Sequence, residues 1–83
     1  MSLEALMQAE KRAVGVKQTE KSVAKDNAAK VYVAKDADER VTENLLELCR
    51  EKGVEIIEAE SMNELGKACG IHVKAAAAAV LKA

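Results

Sequence analysis

The stretch KACGIHV places Cys69 three residues before His72, a spacing that could belong to a metal site or to a thiol nucleophile. Structural zinc takes four protein ligands, and catalytic zinc takes three with a water molecule. His72 is the only histidine of the chain, and Cys49 is the only other cysteine. The ligand set is incomplete, and nothing indicates a group that would orient His72 as a base. We therefore expect no metal, no cofactor and no catalytic residue, with Cys69 buried and His72 exposed in a loop.

A second candidate is the segment GVKQTEKSVAK, which begins at Gly15 and carries Lys17, Lys21 and Lys25 at intervals of four residues. That interval places the three lysines on one face of a helix, where like charges repel. Gly15 lets the backbone of a partner come close, and the first helical amides beyond it are unpaired donors at the positive end of a helix dipole. Gln18 can both donate to and accept from the edge of a base. The segment suits phosphates and bases, although an ordinary solvated helix face would look the same.

The elements that must position these residues alternate between helix and strand. The order predicts an α/β domain with helices on both faces of a small sheet. Asp36 and Asp38 are both candidates to cap the third helix, which Gly53 ends, and the Ser61 hydroxyl can cap the fourth through the Glu64 amide. The predicted helices cover residues 3–12, residues 17–25, a segment with Val41, Leu45, Leu48 and Cys49 on its buried stripe, and a segment ending at Gly70. The predicted strands cover the end of a strand at 13–16, then 30–34 and 54–59.

The alanine run that follows Lys74 has two interpretations. Intrinsic propensity favours a helix. The alternating order favours a strand, because strands covered by helices on both faces are continuous apolar runs. We give more weight to the order and expect a last strand, with every core strand shielded from water on both sides.

Composition limits the classes of protein that are compatible with the chain. The 83 residues carry a net charge of -1, but residues 1–35 have seven Lys and Arg against four Asp and Glu, whereas residues 36–83 have six against ten. No apolar run approaches the roughly 20 residues that cross a bilayer, and the charged N-terminus does not resemble a signal peptide. We therefore expect a cytoplasmic protein with reduced cysteines and no membrane partner.

Aromatic residues are almost absent, since Tyr32 is the only one. Proteins that read single-stranded RNA commonly stack bases on several aromatic rings. If this chain binds RNA, it must use hydrogen bonds, charge, aliphatic contacts and shape.

Three stretches, GVKQTEK, VYVAKDAD and ESMNELGKACGIHVKAAAAAV, resemble the kink-turn-binding ribosomal protein family. That family includes an archaeal large-subunit protein, related eukaryotic ribonucleoprotein core proteins and small bacterial paralogues, which this chain is most similar to. The resemblance extends from Ala13 to Leu81. It implies a three-layer α-β-α sandwich with a four-stranded mixed central sheet, formed by residues 1–83 as a single domain, with the alanine run as the last strand.

The resemblance also implies a function, the binding and stabilisation of RNA kink-turns, in which tandem sheared G·A pairs beside a bulge bend a duplex. Residues after the glycine would contact the guanines, and the loop before the last strand would pack against the bulged nucleotide. Carried onto this chain, the RNA-contacting residues are Gly15, Val16, Lys17, Gln18, Lys21, Lys35, Ile71, His72, Val73 and Lys74.

The chain departs from the family at several of these positions. Many members have Asn-Glu where this chain has Lys17 and Gln18, so one acceptor for a guanine is lost and a positive charge is gained. Val16 replaces a commoner threonine, and Glu39 stands where proline is frequent. His72 replaces an acidic or neutral residue and brings a donor closer to phosphate.

We therefore expect a non-enzymatic, monomeric, cytoplasmic bacterial protein whose partner is structured RNA, such as ribosomal RNA or a riboswitch, and not DNA. The alternative is a protein-interaction module on the same scaffold that has lost specific RNA binding. A more remote one is a small thiol enzyme that uses Cys69 and His72.

Overall fold

One mixed sheet of four strands organises the fold, which a computed structural model describes for residues 3–82. The elements in chain order are α1 (Glu4–Gln8), β1 (Arg12–Val14), α2 (Val16–Ala24), β2 (Ala28–Ala34), α3 (Glu39–Lys52), β3 (Glu55–Ala59), α4 (Met62–Ala68) and β4 (Ala77–Leu81). The strand order is β1-β4-β2-β3. Strand β4 is antiparallel to both of its neighbours, whereas β2 and β3 are parallel.

Helices cover both faces of the sheet and enclose two separate cores. Successive side chains of a strand point to opposite faces, so Val31 and Val33 of β2 face α2 and α3, whereas Tyr32 faces α1 and α4. Leu45 lies at the centre of the first core and Leu65 in the second, and both are fully buried. The three-layer α-β-α sandwich with a four-stranded mixed sheet is thereby confirmed.

The alanine run forms the central strand β4. Ala77, Ala78 and Ala79 are completely buried, and their methyl groups alternate between the two cores. The small side chains let helices approach closely on both faces, and hydrogen bonds to β1 and β2 satisfy the backbone. The expected strand is confirmed, because pairing with two neighbours outweighs the helix propensity of alanine.

Asp36 and Asp38 were both predicted to cap α3, but they bind to the starts of two different helices. Asp38 caps α3, since its Oδ1 accepts from the amide of Arg40 at 2.9 Å. Asp36 instead accepts from the amide of Met62 at 2.8 Å, at the start of α4, where the Ser61 hydroxyl also accepts from the amide of Glu64. Asp36 therefore joins the end of β2 to the start of α4.

The first helix is shorter than the predicted span of residues 3–12. It ends at Gln8, Ala9 is extended, and Arg12 already belongs to β1, where it pairs with Val80. The Arg12 side chain turns back, and its Nη1 donates to the carbonyl of Leu6 at 3.0 Å. The sequence pattern predicts a helix up to residue 12, but the pairing of β1 with β4 ends the helix earlier. Within residues 3–82 no helix is long and apolar enough to cross a membrane.

Two predictions of burial were wrong. The side chain of Val41, placed on the buried stripe of α3, is 50% exposed, and Leu46 packs against the α2/α3 core instead. Strand β3 is not shielded on both sides. Its first four residues are exposed or half-buried, because β3 is the edge of the sheet and only β2 pairs with it within the described residues.

Candidate nucleic-acid interface

All four strands bring a loop to the same end of the sheet. Strands β1, β2 and β3 end there, and β4, which runs in the opposite direction, begins there. The register places Ala77 opposite Val33 and Ala78 opposite Val14, so the start of β4 lies between the ends of β1 and β2. We call this end of the sheet the loop edge, and every residue that the sequence assigned to RNA contact lies on or beside it.

Gly15 connects β1 to α2 at the loop edge. Its φ of +97° is a conformation that residues with a side chain rarely adopt, and its amide donates to the carbonyl of Ala77 at 2.8 Å. Its own carbonyl accepts from the amide of Thr19 and so begins the helix. No side chain caps α2, so helix geometry leaves the amides of the first turn without an intrahelical acceptor.

The side chains of α2 divide between a buried and an exposed face. Thr19 and Val23 are completely buried against the sheet. Lys17, Gln18 and Lys21 are exposed on the outer face, in and just after the first turn. The predicted side chains therefore share one surface with the free amides of the helix start.

Val16 has a different environment from its polar neighbours. It is half-buried and packs against the α2/α3 core, whereas Lys17 and Gln18 are exposed. The expected role of Gly15 and Val16 in presenting backbone to RNA stays a prediction.

The loop between α4 and β4, residues 70–76, is the second part of the interface. It packs tightly on α4, because Gly66 lies against the carbonyl of Val73, where a side chain would collide. The amide of Ile71 donates to the carbonyl of Gly66 at 3.1 Å, and the amide of Ala75 donates to the carbonyl of Met62 at 3.1 Å. These contacts hold the loop without any contribution from its outward side chains.

The four predicted loop residues differ in exposure. Ile71 is half-buried against the α1/α4 core, whereas His72, Val73 and Lys74 are exposed. Val73 is 68% exposed, which is high for an aliphatic side chain, so it is not part of either core. The loop thus presents an apolar side chain between a histidine and a lysine.

Lys35 lies at the loop edge but on the side of β3. Its amide donates to the carbonyl of Ala59 at 2.9 Å, and its Nζ lies 3.4 Å from Oε2 of Glu60. The structure therefore separates Lys35 from the lysines of α2 by the width of β4 and pairs it with a carboxylate. No local pattern predicts this pair, because its members lie 25 residues apart, just beyond the ends of β2 and β3.

The thiols do not form a site. Cys49 faces the α2/α3 core and Cys69 the α1/α4 core, so the sheet lies between them. Burial raises the pKa of the Cys69 thiol, against the lowering effect of Arg12, whereas a nucleophilic cysteine needs a lowered pKa. Among residues 3–82 no group of three His, Cys, Asp or Glu side chains could hold a metal ion.

Several proteins are similar to this chain in sequence or in fold. A Bacillus pumilus (strain SAFR-032) protein named "RNA-binding protein" is 46% identical over 81 residues, which cover 98% of this chain and 99% of that protein. The large ribosomal subunit protein eL8 of Halobacterium salinarum is 43% identical over 70 residues, which cover 83% of this chain and 58% of that one. The structure of the Giardia lamblia 15.5kD RNA binding protein matches with a TM-score of 0.87 and 30% identity, over 98% of this chain and 71% of that one.

The match to a family extends over almost the whole sequence. Residues 2–83 fit the sequence model of the Ribosomal protein L7Ae/L30e/S12e/Gadd45 family. The resemblance first indicated by the GVKQTEK and LGKACGIHV stretches is confirmed by this match and by the shared fold. The chain belongs to the Ribosomal protein L7Ae/L30e/S12e/Gadd45 family.

Proposed function

We propose that this protein binds structured RNA and stabilises kink-turns. The observation that carries the proposal is the hydrogen bond between the amide of Gly15 and the carbonyl of Ala77, which joins the start of α2 to the start of β4, directly after the loop at residues 70–76. It brings a surface of amides and lysines beside a surface with an exposed aliphatic side chain. A regular duplex offers phosphates but no apolar surface, so the combination suits an RNA in which a base is flipped out.

The first part of the interface is suited to a distorted duplex. Lysines and free helical amides bind phosphate oxygens and orient the protein. Gln18 offers a donor and an acceptor to a base edge. The major groove of regular A-form RNA is too narrow for such a side chain, and a sharp bend opens this groove. Lys17, Gln18 and Lys21 would therefore read the guanines of the sheared pairs.

The second part is suited to the bulged nucleotide. Val73 is exposed and Ile71 half-exposed beside it, and both provide aliphatic surface for an unstacked base. Tyr32 is completely buried and cannot stack on a base. Recognition would therefore depend on shape and aliphatic contact and not on aromatic stacking.

The mechanism is a shift of population. A free kink-turn RNA exchanges between extended and bent forms, and a protein that binds only the bent form increases its share. This role needs no catalytic group, metal or cofactor, and we propose that the protein acts as a cytoplasmic monomer. The names of the relatives support RNA as the partner, since the proteins of B. pumilus and G. lamblia are both named as RNA-binding.

A gel-shift comparison tests the proposal. One RNA is a duplex that contains a kink-turn, and the other is the same duplex with its sheared G·A pairs changed to Watson–Crick pairs. We expect the protein to bind the first RNA and to increase its bent fraction, measured by fluorescence energy transfer between labelled ends. Equal binding to both RNAs, or binding to neither, would contradict the proposal and favour the protein-interaction alternative.

A further inference from the structure

The charge of the loop edge changes sign from one side to the other. On the side of β1 and β4, the exposed lysines are Lys17, Lys21 and Lys74. On the side of β3, a single hollow is lined by Lys35 together with three glutamates. We call these glutamates, Glu58, Glu60 and Glu64, the acidic boundary.

One lysine does not neutralise the boundary. Lys35 pairs with Glu60 at 3.4 Å, but the two side chains are 50% and 73% exposed, and an exposed pair of this kind contributes little. Glu58 and Glu64 remain on either side of the pair, so the hollow has a net charge of -2. A phosphate above the hollow would meet more negative than positive charge.

The distances make this repulsion local. Neighbouring strands are about 4.8 Å apart, so β3 lies roughly 14 Å from β1 across the loop edge. Salt at physiological strength screens exposed charges over about 8 Å. The acidic boundary therefore acts weakly on phosphates beside Gly15 and strongly on phosphates that approach β2 and β3.

Structural roles explain only part of the boundary. Glu64 lies in the first turn of α4, where the helix dipole favours a negative charge. Glu58 protects the exposed edge of the sheet from pairing with other strands. Glu60 follows the end of β3 and serves neither purpose. Its carboxylate nevertheless pairs with Lys35, the cation predicted to contact RNA on this side of the loop edge.

We propose that the acidic boundary determines specificity by confining the RNA backbone to the part of the loop edge formed by β1 and β4. A kink-turn bends away sharply and fits within this part, whereas a straight duplex would continue over β3 and be repelled. The inference rests on the proposed function, since it assumes that bent RNA is the ligand.

Two triple variants with equal net charge test the inference. In the boundary variant, Glu58→Gln, Glu60→Gln and Glu64→Gln remove the acidic boundary. The control variant carries Glu47→Gln, Glu51→Gln and Glu55→Gln. Those three glutamates are also exposed, but they lie toward the end of α3 and the start of β3, at the opposite end of the sheet.

The affinities of both variants for the two duplexes are measured at several salt concentrations. We expect the boundary variant to bind the Watson–Crick duplex about five- to tenfold more tightly than wild type, because three repulsive charges are removed. The control variant should gain less than about twofold from the change in net charge. The kink-turn duplex should gain less than the Watson–Crick duplex, so the ratio of the two affinities should fall only in the boundary variant.

Lys35 provides a second measurement. In wild type, Lys35→Gln should change RNA affinity little, because the three glutamates keep phosphates away from the hollow. In the boundary variant the freed lysine should contact a phosphate, so adding Lys35→Gln should reverse part of the gain and lower the salt slope by about one.

The outcomes separate the two claims. Equal gains in the boundary and control variants, or an unchanged affinity ratio in the boundary variant, would overturn the acidic boundary alone. A wild-type protein that does not distinguish the two duplexes would overturn the proposed function and the boundary with it. Thermal unfolding of each variant shows that the affinities are those of folded protein.

Discussion

Gly66 of α4 lies directly against the carbonyl of Val73, with room for a hydrogen atom but not for a methyl group. The contact is between backbone and backbone, so no flexible side chain can move aside. It fixes the distance between α4 and the loop that carries Ile71, His72 and Val73. The absence of a side chain at Gly66 therefore sets the position of the exposed loop that we propose contacts RNA.

Replacing Gly66 with alanine should displace this loop. A methyl group would gain helix propensity but would collide with the Val73 carbonyl, and overpacking of this kind costs about 1–3 kcal/mol. We expect a lower urea midpoint and weaker binding to kink-turn RNA. Asn63→Ala is the matched control on the exposed face of the same helix and should change the free energy of unfolding by less than about 0.5 kcal/mol. Equal midpoints for the two variants would mean that the loop moves freely.

Lys21→Ala should weaken binding to the kink-turn duplex by roughly 1–3 kcal/mol if the side chain contacts a base edge. Lys25→Ala is the control, since Lys25 caps the far end of α2, about 14 Å along the axis from its start. It should weaken both duplexes slightly and equally. Binding titrations of both variants with both duplexes check the difference, and a loss below a few tenths of a kcal/mol for Lys21→Ala would remove this residue from the interface.

Ala78→Leu should destabilise the fold by about 1–3 kcal/mol or more, because a larger side chain would push α1 and α4 away from the sheet. Ala78 is completely buried in the central strand. The control is Ala29→Leu in the neighbouring strand β2, where Ala29 is exposed, and its effect should stay within about 0.5 kcal/mol. Chemical denaturation of the two variants measures the difference. A tolerated Ala78→Leu would show that the layers can separate without cost.

Both thiols should be unreactive in the folded protein. Burial raises the pKa of Cys49 and of Cys69 above their ordinary value of 9.0, so a thiol reagent should label them at the rate of global unfolding. In the unfolded chain the thiols ionise near pH 9.0, whereas in the folded chain they stay neutral. Their contribution to stability is therefore complete below that pH and is lost as the pH rises above it.

Unfolding experiments across this pH range on wild type and on a variant that carries Cys49→Ala and Cys69→Ala isolate the contribution of the thiols. The double variant should lose less stability between neutral and alkaline pH than wild type. Fast labelling of either native thiol at neutral pH would contradict its burial.

Most helices and strands could be predicted from the sequence, but the order of the strands in the sheet could not. The cap at Asp38 and the end at Gly53 are local signals, and the structure has both. The exposure of Val41 and of β3 depends on how the elements pack and on which strand lies at the edge, and these are long-range properties that no short stretch contains. The first helix was overextended for the same reason, since the pairing of Arg12 with Val80 ends it.

The candidate interface shows the same division. The sequence predicted the residues after Gly15 and the loop at residues 71–74, and the structure places both at one end of the sheet. It did not predict the ion pair between Lys35 and Glu60 or the hydrogen bond from Met62 to Asp36, because both join segments about 25 residues apart. The roles of these residues toward RNA stay predictions.

The central alanine strand has a consequence for folding. Residues 75–79 are identical, so sliding β4 by one position replaces each methyl group with another, and the run itself barely distinguishes one pairing from the next. The native pairing must be selected by the residues around the run. Val80 and Leu81 pack into opposite cores and would exchange faces after a slip of one residue. The contact between Gly66 and Val73 limits how far the chain can shift at the other end of the run, so the contact that positions this loop also helps to select the register of the sheet.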